Sequence, residues 1–215
     1  MSSIKKIVAI GPESTGKSTL CQQLAAHYNT LWCPEYAREY LLTHGVEYSY
    51  DDLLTIAKGQ LALEDEIVLA VNRQSSIVKS ENVNRQSSIV NVDAAQSASQ
   101  SAICNPRSAI NPLIFIDTDM YIMKVWCEYV YHKCHPFILE QIAERKYDLY
   151  LLCNPDLAWE PDVLREYPDE ASRVELYGIY KNLLLSQGTP FVEITGNYDE
   201  RLQRAVQAVD GLLAV

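Results

Sequence analysis

Between an apolar run, Ile4–Ile10, and a segment of helical period stands GPESTGKST, residues 11–19. Nothing else in the chain limits its fold as tightly. Gly11 and Gly16 let the backbone curl so that successive N–H groups converge on one point, where the start of a helix adds partial positive charge. Such a turn is an anion nest, and Lys17 and Ser18 complete the spacing GxxxxGK[ST] of a phosphate loop. A glycine turn that merely mimicked the motif would lack the buried strand before it and the helix after it. Gly11, Glu13, Ser14, Thr15, Gly16, Lys17, Ser18 and Thr19 are therefore expected around the phosphates of ATP. Lys17 is expected between the β- and γ-phosphates, with the Ser18 hydroxyl on Mg²⁺.

Four further apolar runs follow: Thr30–Cys33, Leu113–Ile116, Asp148–Cys153 and Pro190–Ile194. Each is largely continuous rather than alternating, as in strands covered on both faces. Helical patterns lie between them, at Lys17–Tyr28, Glu35–Thr43, Asp51–Val71, Thr118–Tyr131, Pro136–Arg145, Asp169–Gln187 and Asp199–Leu213. Strands alternating with helices predict a single α/β domain over residues 1–215: a three-layer sandwich around a five-stranded parallel sheet. A helical lid is expected at about residues 155–173. One stretch departs from the pattern. VNRQSSIV occurs at Val71–Val78 and again at Val83–Val90, and a Ser/Asn/Gln/Ala-rich tract follows. Two copies are too few for a solenoid, so residues 72–111 are expected to form a polar surface insertion.

The formal net charge of −10 disfavours nucleic acid, whose phosphate backbone it repels. No apolar stretch is long enough to cross a bilayer, and the N-terminal residues lack the regions of a signal peptide. Six cysteines without a CxxC pair fit free thiols in a reducing cytoplasm. Cys127, Cys134 and His135 want a fourth ligand for zinc. Oligomeric state has no signature here.

Carboxylates cluster where strands end, the edge at which such sheets bind ligands. Asp117 comes directly off Leu113–Ile116 and is expected at the metal, while Asp119 either contacts substrate or caps the next helix. Glu35 follows the second strand and could accept a proton from an attacking hydroxyl, or be a first-turn acid. Asp117 is its rival as base. Arg38 would face the same way, unless it is a plain surface charge. Arg165, with Arg173 beyond it, could swing over a transferring phosphoryl group. Tyr36, Tyr121, Trp126 and Trp159 are candidates to stack on a substrate ring, though each residue type is more often core.

GPESTGKSTL, PEYAREYL, DLLTIAKGQ, FIDTDMYIMKVWCEY, YDLYLLC with WEPDVLRE, and GNYDERLQRA together resemble the nicotinamide riboside kinase domain of the NadR type. These motifs span nearly the whole chain outside residues 71–111. The resemblance implies transfer of the ATP γ-phosphate to the 5′-hydroxyl of a small-molecule nucleoside, nicotinamide riboside, in NAD salvage. It gives Glu35, Arg38, Asp117, Trp126 and Arg165 added weight as site residues. Full-length bacterial proteins of this type also carry an adenylyltransferase domain, but no HxGH signature occurs here, so adenylyl transfer and repression are not expected. The competing class is a nucleotide-dependent switch. A guanine-specific switch would show NKxD after the fourth strand, where this chain has Asn154-Pro155-Asp156.

Overall fold

The computed structural model describes residues 4–88 and 112–214. Five strands, β1 (Lys5–Ile10), β2 (Leu31–Cys33), β3 (Leu113–Asp117), β4 (Leu149–Cys153) and β5 (Phe191–Ile194), form one parallel sheet in the order β2-β3-β1-β4-β5. The helices are α1 (Lys17–His27), α2 (Tyr36–His44), α3 (Tyr50–Ser88), α4 (Met120–Tyr131), α5 (Pro136–Glu144), α6 (Glu170–Ser186) and α7 (Tyr198–Leu213). None is long and apolar enough to span a membrane.

The continuous apolar runs reflect burial on both faces. On β1, Ile7 and Ala9 pack toward Leu20, Leu24, Ala205 and Val209 of α1 and α7. Val8 and Ile10 point the other way, toward Ile122, Val125, Leu176 and Tyr180 of α4 and α6. Each fully buried aliphatic side chain contributes about 1.5–3 kcal/mol. Strand period and two-sided burial thus fix the three layers together.

Register then sets the site. Ala9 pairs with Asp117 and Cys33 with Ile116, so β1, β2 and β3 end side by side. The phosphate loop, Glu35 and Asp117 all leave the sheet at this edge. The chain also reverses direction across the sheet beside β1, since β2 and β3 lie on one side and β4 and β5 on the other. Ligand crevices open at such switch points.

One expectation needs correction. The helical pattern was expected to end at Val71, but α3 continues through the first copy of the repeat and into the second, to Ser88. Residues 72–88 hold neither proline nor glycine, so nothing breaks the helix begun at Tyr50. The rest of the expected insertion, residues 89–111, lies outside the described residues.

Candidate active site

The phosphate loop follows β1 through left-handed backbone at Gly11 (φ 145°), Ser14 (φ 56°) and Gly16 (φ 74°). A Cβ at Gly11 would sit 2.6 Å from the carbonyl oxygen of Cys153, so only glycine lets the loop turn this close to β4. α1 then begins at Lys17, its N-cap Gly16 offering no side-chain cap and its first turn no acidic residue. An uncapped, positively polarised helix end under a curled loop attracts an anion. Thr15 braces the loop from within, its hydroxyl donating to Pro12 O at 2.8 Å. Lys17 Nζ donates to the same carbonyl, also at 2.8 Å.

A cleft of about 460 Å³ opens over this loop. Its floor includes the whole run from Gly11 to Thr19, and its near wall carries Glu35, Arg38 and Asp117. Asp117 is 1% exposed. Its Oδ2 accepts from the Ser18 hydroxyl at 2.5 Å, while Oδ1 is buried and, among the described residues, has no hydrogen-bond partner. Burial, and next the charge of Glu35, push the Asp117 carboxyl up to about 6, against the pull of Lys17 and Ser18. A buried, half-satisfied carboxylate beside a hydroxyl and a phosphate loop is the donor set a hard divalent cation takes, so these residues fit Mg²⁺.

The opposite wall belongs to α4. Ile122, Val125, Trp126 and Tyr129 line the cleft from one helical face. Trp126 is held in place, its Nε1 donating to the Tyr48 hydroxyl at 2.8 Å. That periodicity is legible in the sequence, yet only Trp126 stood out there, because an apolar helix stripe reads as core.

The roof is the segment between β4 and α6; a helical lid was expected at about residues 155–173, but no helix forms there before α6 begins at Glu170. Two amides of this segment, from Glu166 and Tyr167, donate to Glu13 Oε2 at 3.0 and 3.2 Å. Ser14 Oγ accepts from Glu160 N at 3.1 Å and from Arg165 Nη1 at 3.3 Å. The far side is clasped too: Arg38 pairs with Asp162 at 2.8 Å, and the Tyr48 hydroxyl donates to Glu166 at 2.9 Å. Burial raises the Glu13 carboxyl above its ordinary range, the two amides opposing it. Arg165 thereby lines the cleft directly above the phosphate loop.

Four expected substrate contacts are placed elsewhere. Asp119 is 1% exposed and does not line the cleft; it caps α4 through the amides of Tyr121 and Ile122, and its Oδ2 accepts from the Tyr150 hydroxyl at 2.8 Å. The ring of Tyr36 lies against Gly59 of α3, in the packing between α2 and α3. Trp159 has its ring taken up by Arg165 and Arg173, whose guanidinium carbons lie 5.7 and 5.6 Å from its centroid. Tyr121 joins the apolar packing beside Tyr150 instead. Arg173 is buried behind the loop, bonding Leu157 O at 3.1 Å and Pro155 O at 3.3 Å.

Sequence reasoning missed Tyr129, Asp162, Glu166 and Tyr167, which complete the cleft. It also missed Arg201. That residue is 2% exposed and donates to Thr15 O at 3.0 Å, Gly196 O at 2.7 Å and Asn154 O at 2.8 Å, besides pairing with Asp156.

A family model described as an AAA domain matches residues 6–201. The trifunctional NAD biosynthesis/regulator protein NadR of Escherichia coli strain K12 is 26% identical over 211 residues, covering 96% of this chain and 42% of the relative. NadR of Salmonella typhimurium strain LT2 is 26% identical over 215 residues, covering 98% and 43%. The chain thus spans about two fifths of the curated relatives it matches. Among solved structures, NadR in complex with NR superimposes with a TM-score of 0.65 at 22% identity, over 99% of this chain and 50% of that one. NadR with NAD and AMP-PNP gives 0.61 at 22% identity, with the same coverage. The likeness to these structures is one of fold: a five-stranded parallel sheet between helices.

Proposed function

The chain belongs to the AAA domain family, and from that premise we propose that it is an ATP-dependent kinase of nicotinamide riboside. It would transfer the γ-phosphoryl group to the ribosyl 5′-hydroxyl, giving nicotinamide mononucleotide. The observation that carries this reading is that Glu35 and Asp117 share one cleft with Lys17 and the phosphate loop. A module that only binds nucleotide needs the loop alone; transfer to a hydroxyl also uses a carboxylate placed beside it to take the proton.

The ATP phosphates rest on the loop amides and the N-terminus of α1, with Lys17 at the β- and γ-phosphates. Mg²⁺, when bound, would be held by Ser18 and Asp117 and would offset phosphate charge. Glu35 accepts the 5′-hydroxyl proton as the oxygen–phosphorus bond forms and the bond to the leaving ADP breaks. Arg165, above the loop, balances the charge spread over the phosphoryl oxygens. The relatives support the acceptor, since a NadR structure is described as holding NR. So does the chemistry of the far wall. Nicotinamide riboside carries a cationic pyridinium ring, and Trp126 and Tyr129 stand there, with Tyr167, Asp162 and Glu166 in the roof above.

Offered nicotinamide riboside, uridine, adenosine and guanosine at equal concentration with Mg·ATP, the protein should phosphorylate the first preferentially. Mononucleotide from a neutral nucleoside, with none from nicotinamide riboside, would move the assignment to another acceptor. Glu35→Gln should lower kcat by about 10²-fold or more, the usual contribution of a positioned base, and leave ATP binding intact by calorimetry. Near-normal turnover in that variant would pass the base role to Asp117.

A further inference from the structure

We propose that Gln60, on α3, is a positioning residue that sets Glu35 and Asp117 in their working arrangement; this rests on the kinase reading above. Gln60 is 1% exposed and does not line the cleft. An ordinary core position would hold leucine there, since a buried amide is tolerated only when its polar atoms are satisfied. The bonds it makes are specific. Its Oε1 accepts from Tyr36 N at 2.7 Å. Its Nε2 lies 3.2 Å from Pro34 O, 3.4 Å from Asp117 O and 3.4 Å from Cys33 Sγ. One side chain therefore grips the backbone on both sides of Glu35 and the carbonyl of Asp117.

Local structure explains why such a grip is needed. Glu35 is the N-cap of α2 but makes no cap bond with its own side chain. Gln60 satisfies the first amide of the helix, that of Tyr36, and the uncommitted Glu35 side chain lines the cleft. The neighbouring Gly59 makes the approach possible. A Cβ there would lie 2.1 Å from Tyr36 Cε1, so any other residue would displace the ring that packs α2 beside Gln60. A glycine inside a helix costs about 0.5–1 kcal/mol relative to alanine, and close approach is a reason to keep one. Thr118 adds a contact from the end of β3, its hydroxyl 3.4 Å from Glu35 Oε1, on backbone held at φ 80°. Two carboxylates from different strands are thus indexed to one amide from a third element.

The test measures kcat, KM and ATP dissociation constant for Gln60→Met, which keeps length without polarity, and Gln60→Glu, which keeps shape but faces two carbonyls with an oxygen. Each should lower kcat by about 10- to 100-fold, the range for a misplaced catalytic group, with ATP affinity unchanged. In a Glu35→Gln background the further loss from Gln60→Met should shrink to less than about threefold, because residues acting through one group are not additive. Unchanged kcat in either folded variant, or an equal loss in both backgrounds, would overturn the proposal. So would failure of both variants to fold, which would make Gln60 a stability residue. An inactive wild type would remove the kinase reading itself, whatever the variants did.

Discussion

Lys17→Ala is expected to leave a folded protein that turns over at least about 10³-fold more slowly, the scale on which losing one preorganised charge stabiliser is felt. Lys17 is half-buried and its ammonium bonds one loop carbonyl, Pro12 O, so its removal strips little from the core. A melting temperature close to that of the wild type, measured with the rate, separates lost chemistry from lost fold. Lys17→Arg should rescue poorly, because a planar guanidinium cannot stand in for a compact ammonium between two phosphates. Wild-type turnover in Lys17→Ala would mean that the loop is not the phosphate site.

Arg201→Met should act on the fold instead. The Arg201 guanidinium reaches from α7 into the phosphate loop, satisfying Thr15 O, Asn154 O and Gly196 O and pairing with Asp156. Asp156 is 35% exposed and can turn to water, so the cost falls on the buried carbonyls left bare, about 1 kcal/mol each and about 3 kcal/mol together. For a chain of this size that is a fall in melting temperature of about ten degrees. ATP should stabilise the variant less than the wild type, since the loop has lost its brace. An unchanged melting temperature would show that water replaces the guanidinium without penalty.

What the sequence made legible was whatever is local. The phosphate loop announces itself within residues 11–18, and Asp117 by its place at the end of an apolar strand. The sheet was readable because two-sided burial leaves continuous apolar runs such as Ile7–Ile10 and Leu113–Ile116. What escaped was set by contacts between distant elements. Gln60 and Arg201 look like ordinary helix-surface residues until α3 and α7 are docked. Asp119 could cap or catalyse on residue type alone; the Tyr150 hydroxyl, from another strand, settles it into the packing. Trp159 and Tyr36 were attractive as stacking rings because an aromatic residue near a motif carries no mark of which way it turns. The length of α3 escaped for a different reason: the apolar period fades after Val71, but helix continuation depends on the absence of breakers as much as on apolar period.

Phosphorus NMR of the wild-type protein with Mg·ATP and nicotinamide riboside reads the proposed transfer itself. The γ-phosphate resonance should give way to a ribose 5′-phosphomonoester, in step with ADP. Inorganic phosphate appearing in its place, or ATP left intact beside folded protein, would contradict it.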